Sequence, residues 1–187
     1  MTRSIAGLLA AALVAALAAV VYSGVVDPGA DTPHPRPLHW LLETVRERGI
    51  STRAASIEVP DLADPELVRL GAGNYDAMCA ACHLKPGVTD SELHRGLYPQ
   101  PPSLANVGEA PARQFWVIKH GIKATGMPAW GKSMDDRAIW GLVAFLQALP
   151  KHTPESYGEA VEHSEGHHHD EPESQPDHDH DHDHSEM

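Results

Sequence analysis

Of the 187 residues only two are cysteine and two phenylalanine, and Trp and Tyr contribute four each. With one cysteine pair and no second, a four-thiolate zinc site is out of reach. The scarce aromatics are informative by position. Seven of the ten (Tyr75, Tyr98, Phe115, Trp116, Trp130, Trp140 and Phe145) fall between Pro60 and Pro150, which places the hydrophobic core there. Lysine and arginine are missing from Glu155 onward, where twelve of the 26 acidic residues sit; the rest of the chain carries fourteen charges of each sign and is formally neutral. A neutral body lacks the clustered unpaired cations that phosphate binding needs, which excludes nucleic acid as a partner. Strict apolar alternation is also absent, so the fold class is all-α.

What is present begins with the two cysteines. They form Cys79-Ala80-Ala81-Cys82-His83. Two thiols one helical turn apart can each form a thioether to a haem vinyl group, and the next residue offers an imidazole to the iron. A redox dithiol or half a zinc site uses the same cysteine spacing, but neither requires the histidine. One covalently bound haem c is therefore the expected cofactor. In a domain of about 90 residues such a macrocycle also supplies buried apolar surface that the side chains alone cannot.

Ile5 to Val26 is a run of 22 uncharged residues, with Arg3 ahead of it and Asp27 behind. As a helix it measures about 33 Å, enough to cross a bilayer, and the leading arginine keeps its start in the cytoplasm. A cleaved signal peptide is the competing reading, but the run exceeds a signal core and no clean A-x-A site follows it. Residues 1–26 are read as a membrane anchor. Pro28, Pro33, Pro35 and Pro37 then make an extended spacer. Leu38, Leu41, Leu42 and Val45, with Arg46, Arg48 and Arg53 nearby, predict a short amphipathic helix. It is expected to pack onto the haem domain; an anionic lipid surface or a partner subunit is the alternative.

Asp64-Pro65-Glu66 is a helix start that runs into the haem motif. Leu67, Leu70, Gly71, Tyr75 and Met78 share one face, and Gly71 allows another helix close approach. A last helix is predicted from near Asp135-Asp136 to Pro150, with Ile139, Trp140, Val143, Leu146 and Leu149 at helical spacing. Ala112 to His120 reads as a third helix capped by Gly121. Phe115, Trp116, Trp140 and Phe145 are candidates to cover the porphyrin, or plain core. Leu84 to Asn106 is too rich in Pro and Gly for regular structure and reads as a loop over the haem.

A good electron carrier holds its iron six-coordinate, so a second axial ligand is expected. Met127, 44 residues after His83 and followed by Pro128, is the best candidate. Its soft, uncharged sulfur favours ferrous iron. Met134, His120 and His94 are the alternatives. The free ring nitrogen of His83 needs an acceptor, and a backbone carbonyl near Pro101 and Pro102 suits it.

Cys79 to His83, then Pro102-Ser103-Leu104, then Thr125 to Trp130 ahead of an aromatic helix, resemble the class I cytochromes c over Asp64 to Leu149. The resemblance implies the cytochrome c fold, covalent haem on Cys79 and Cys82, and His83 and Met127 as axial ligands of the haem iron. It also implies that Pro102 accepts from His83 and that Gly71 and Tyr75 meet Trp140 where the helices cross. Pro101 stands where the family usually has glycine. The expected function is one-electron transfer rather than enzymatic turnover, since a ligand at Met127 closes the iron to peroxide. The carrier would be tethered to the outer face of the bacterial inner membrane, with its haem domain in the periplasm and Lys85, Lys119, Lys123 and Lys132 around the haem edge. Redox proteins are the expected partners. The alternative is a haem subunit of a larger respiratory or dehydrogenase complex.

The expected layout is an anchor at 1–26, a spacer and short helix at 27–60, a cytochrome domain at 61–152 and a disordered tail at 153–187. The tail's His167 to His169 and His178 to His184, alternating with Asp in the second run, suit divalent metal. A cytochrome whose tail handles metal is thus a further alternative.

Overall fold

The computed structural model describes residues 2–106, 108–164 and 166. Among them there is no strand, and eight α-helices are joined by loops and short 3-10 turns. Helix α1 (Thr2–Tyr22) contains an 18-residue stretch, Ile5–Tyr22, of mean hydropathy 2.5, none of it buried, so it is long and apolar enough to cross a membrane. Helix α2 (Arg36–Ala54) follows, then α3 (Pro65–Met78), the single turn α4 (Ala80–His83), α5 (Glu92–Gly96), α6 (Pro111–His120), α7 (Asp136–Ala148) and α8 (Pro154–Glu162).

The two helices that frame the body start where their caps dictate. Asp64 accepts from the Glu66 amide at 3.0 Å with Pro65 at the first helical position, and Asp135 accepts from the Ala138 amide at 2.7 Å. They cross at two glycines. A Cβ at Gly71 would stand 2.0 Å from the Gly141 carbonyl oxygen, so only glycine lets the backbones touch there. Around the crossing Tyr75, Ile139, Val143, Phe145 and Leu149 are fully buried. The aromatic partner differs from the one the resemblance implied. The Tyr75 ring lies 5.7 Å from Phe145, while Trp140 stacks on Phe115 at 4.1 Å.

Three further expectations are corrected. The stretch 84–106 contains α5 and a 3-10 turn at Leu104–Asn106, because Ser91 caps α5 by accepting from the His94 amide at 3.0 Å. Helix α2 is long, and it packs on α6 through a different face from its leucines: Ile50 and Ala54 are buried, whereas Leu38, Leu41, Leu42 and Val45 are exposed. The chain also stays ordered past 153. Thr153 and Ser156 form a reciprocal capping box, Pro154 starts α8, and Tyr157 is buried against α3, its hydroxyl donating to Asp76 at 2.8 Å. The histidine runs at 167–169 and 178–184 lie outside the described residues.

Candidate haem site

The haem motif is built at the end of α3. Cys79 closes α3 and opens α4, and the amides of Cys82 and His83 both donate to the Cys79 carbonyl, at 3.1 and 2.8 Å. One tight turn thereby places both thiols and the imidazole on one cavity wall. Leu84, next in the chain, has φ +65°, a conformation a leucine adopts only under constraint. The constraint is visible: Leu84 is buried and its carbonyl accepts from the Tyr75 hydroxyl at 2.6 Å.

The Nδ1 of His83 lies 2.8 Å from the Pro102 carbonyl oxygen. A carbonyl only accepts, so that nitrogen carries the proton and Nε2 keeps its lone pair. Burial pushes the ring below its ordinary pKa and the neighbouring His94 adds to this, while the Pro102 contact opposes it. The neutral imidazole is the form that binds a metal. Pro101 in the usual glycine position does not prevent the contact. Burial, reinforced by Cys82, pushes the Cys79 thiol up to about 12. A neutral thiol of that kind is the opposite of the low-pKa thiolate that a redox dithiol needs.

Across the cavity, the loop between Gly121 and Pro128 presents Met127. Its amide donates to Thr125 Oγ1 at 3.1 Å, Thr125 Oγ1 donates to the Ile122 carbonyl at 2.8 Å, and the Ile122 amide donates to the Met127 carbonyl at 3.2 Å. Gly121, at φ +64°, lies against this backbone: a Cβ there would be 2.7 Å from the Met127 carbonyl oxygen.

Cys79, Cys82, His83, Pro102 and Met127 line one cavity of about 660 Å³, a size that takes a large organic cofactor. The competing ligands lie elsewhere. Met134 is buried in the core, His120 is exposed beside Trp116, and His94 Nδ1 lies 3.0 Å from the Cys82 carbonyl; none lines the cavity. Nor do Phe115, Trp116, Trp140 or Phe145, so the aromatic lining comes from Tyr75, Tyr98 and Trp130 instead. Of the lysines, Lys85 pairs with Asp76 at 3.0 Å and Lys119 with Asp136 at 2.6 Å, while Lys123 and Lys132 are exposed.

Two groups of lining residues were missed in the sequence. Helix α2 contributes His39, Glu43, Arg46, Glu47 and Ile50, a second face recurring at helical spacing beside the more conspicuous leucines. Helix α6 contributes Arg113 and Gln114; Arg113 donates to Glu47 at 2.6 Å, tying α6 to α2. Gln114 is buried, its Oε1 accepts from Gln147 at 2.6 Å, and its Nε2 has no partner among the described residues. Paired thiols, a metal-ready imidazole and a thioether on one cavity together fit haem.

Residues 66–146 match the family model described as cytochrome c oxidase, cbb3-type, subunit III. No curated protein and no solved structure matches the chain. The match starts on α3, passes through the haem motif and ends on α7. Residues 66–146 thus form a cytochrome c domain of the class I monohaem type, which binds one c-type haem covalently and is a haem-based electron carrier.

Proposed function

We propose that the protein is a one-electron carrier whose haem iron is bound by His83 Nε2 and Met127 Sδ and whose α1 tethers it to the outer face of the bacterial inner membrane. The bound haem supplies a reversible ferric–ferrous couple. The chain's own residues do the rest. Cys79 and Cys82 would hold the macrocycle by thioethers, and the Pro102 carbonyl fixes the tautomer and orientation of His83. Apolar side chains such as Leu142 and Leu146 exclude water, which limits rearrangement when the charge changes. The observation that carries the reading is the convergence of His83 and Met127 on one cavity while Met134, His94 and His120 stay out of it. His39 and Met78 also line the cavity, but His39 lies 3.7 Å from Glu43, and Met78 immediately precedes the attachment turn on the same helix.

The ferric holoprotein should show the far-red sulfur-to-iron charge-transfer band. Met127→Ala should abolish it, and Met134→Leu should leave it intact. A band that survives Met127→Ala would overturn the assignment.

The name of the matched family favours a second reading, a permanent haem subunit of a respiratory complex. Extraction of native membranes in mild detergent separates the two. A stoichiometric partner that stays bound through purification excludes the free carrier.

A further inference from the structure

Helix α2 presents two faces. His39, Glu43, Arg46, Glu47 and Ile50 line the haem cavity, and Glu47 and Ser51 hold α2 to Arg113 at 2.6 and 2.8 Å. About a third of a turn away, Leu38, Leu41, Leu42 and Val45 form a stripe ~100° wide that is 41, 50, 48 and 62% exposed. Steps of ~100° per residue put Arg48 on one flank of the stripe and Arg53, whose guanidinium donates to the Gly49 carbonyl at 2.9 Å and lies 6.0 Å from the Trp116 ring, on the other. Arg48 is exposed and makes no ion pair with the described residues, and both acidic residues of α2, Glu43 and Glu47, are on the cavity side. An apolar stripe between arginines is the pattern of a helix lying in a membrane interface. Its side chains reach the acyl boundary and its guanidinium groups reach anionic headgroups.

The connection to α1 limits what else can cover this face. Only thirteen residues, Ser23 to Pro35, separate the two helices, about 45 Å even if fully extended. They are not extended. Asp27 accepts from the Gly29 amide at 2.8 Å and the Thr32 hydroxyl at 2.9 Å, and the His34 amide donates to the Tyr98 hydroxyl at 3.0 Å, which fastens the connection to the haem domain. If α1 spans the bilayer, α2 is kept close to its surface.

We infer that the Leu38, Leu41, Leu42 and Val45 face of α2 docks on the anionic membrane surface, resting on the reading of α1 as the tether. The haem domain is then held with the α2 wall of its cavity toward the bilayer rather than swinging on a leash. The orientation favours electron exchange with a partner embedded in the same membrane.

The two native cysteines are consumed by the haem, so one added cysteine in the full-length holoprotein takes a spin label uniquely. The samples are nanodiscs of mixed phosphatidylcholine and phosphatidylglycerol, with single labels at Leu13→Cys, Leu41→Cys, Val45→Cys and, as an aqueous reference, Glu66→Cys. The expected result is relaxation by oxygen over a nickel chelate several-fold higher at 13, 41 and 45 than at 66. Lipid-like values at 41 and 45 should be lost in nanodiscs of phosphatidylcholine alone. Lipid exposure at 13 with water exposure at 41 and 45 overturns the docking while leaving the tether. Water exposure at 13 with lipid exposure at 41 and 45 overturns the tether and upholds the docking. Water exposure at all three overturns both. Labels at 41 and 45 shielded from both reagents assign the face to a protein contact and overturn the lipid proposal.

Discussion

Replacing Gly71 by alanine tests the framework that holds the haem turn. The new Cβ would lie 2.0 Å from the Gly141 carbonyl oxygen and 2.7 Å from Phe145 Cβ, where ordinary contact begins at 3.4 Å. The obstacle is backbone inside a helix, so no rotamer change relieves it. Helices α3 and α7 must separate by more than an ångström, opening a core in which Ile139, Val143 and Phe145 are wholly buried. Overpacking of a tight core costs about 1–3 kcal/mol, and a backbone obstacle belongs at or above the top of that range. Replacing a mid-helix glycine returns about 1 kcal/mol of helix propensity. The net loss should be about 2 kcal/mol or more. Gly141→Ala is the control. Its Cβ would meet the Leu67 carbonyl at 3.1 Å and the Gly71 amide at 3.3 Å, a shortfall of tenths of an ångström. The propensity gain then offsets the cost to within about 0.5 kcal/mol. Guanidinium unfolding of both holoproteins, followed by far-ultraviolet circular dichroism, measures the difference; the haem is covalent in folded and unfolded states alike, so its affinity does not confound the comparison. Separation of α3 from α7 should also move Cys79 relative to Leu142 and Leu146 and weaken the far-red band. Equal stability of the two variants, or a neutral Gly71→Ala, would refute the reasoning.

Tyr75→Phe leaves the buried Leu84 carbonyl without its donor, at a cost of about 1–3 kcal/mol, and should lower the melting temperature by roughly 4–8 °C per kcal/mol. An unchanged melting temperature would show that the strained residue after His83 does not depend on that hydroxyl. Burial opposes ionisation of Glu47, but hydrogen bonds from Arg113 and Arg46 outweigh it and hold the carboxyl below its ordinary value. A lowered folded pKa means that the contact stabilises above the unfolded value and is lost as pH falls through the folded one. Amide exchange in α2, corrected for its intrinsic pH dependence, should therefore accelerate under acid. The effect is small, under ~1 kcal/mol, because the pair is part-exposed, and it should vanish in Glu47→Gln. The histidine-rich segment 167–187 is expected to bind zinc ions weakly; calorimetric titration should give heat with the full chain and none after deletion of that segment.

The sequence exposed this fold where a local rule was decisive. Asp64-Pro65 and Asp135 start the framing helices by capping, and Gly71 marks the crossing because a backbone contact tolerates no other residue. The haem motif was equally legible, since thioether chemistry fixes its spacing. What stayed hidden depends on pairings across the chain. Nothing local in Phe145 says that it, rather than Trp140, meets Tyr75; the rotation of α7 about its axis decides that. The low hydrophobicity after Pro150 concealed α8, whose stability comes from a capping box and one aromatic, Tyr157, set against a core some eighty positions earlier. In α2 the leucines drew the eye, whereas the face that meets the haem cavity carries His39, Glu43, Arg46 and Glu47, residue types that normally mark a solvated surface.

Helices α2 and α8 bear on how the carrier works. The family match ends at 146 and begins at 66, so α2 and α8 both lie outside it. Yet α2 supplies five residues of the cavity wall, and Tyr157 of α8 sits 6.4 Å from Tyr75, the residue whose hydroxyl holds the turn after His83. Stripped to the matched segment, the domain would admit water along the α2 side and lose an aromatic neighbour of Tyr75. Water at the haem raises the local dielectric and the rearrangement that accompanies each change of charge, so α2 acts on the quantity that governs electron-transfer rate, while α8 acts through the packing around Tyr75. The unit that must stay together for efficient transfer is therefore Arg36 to Glu162, and the helix that closes its cavity is the same one that offers an apolar face to the outside.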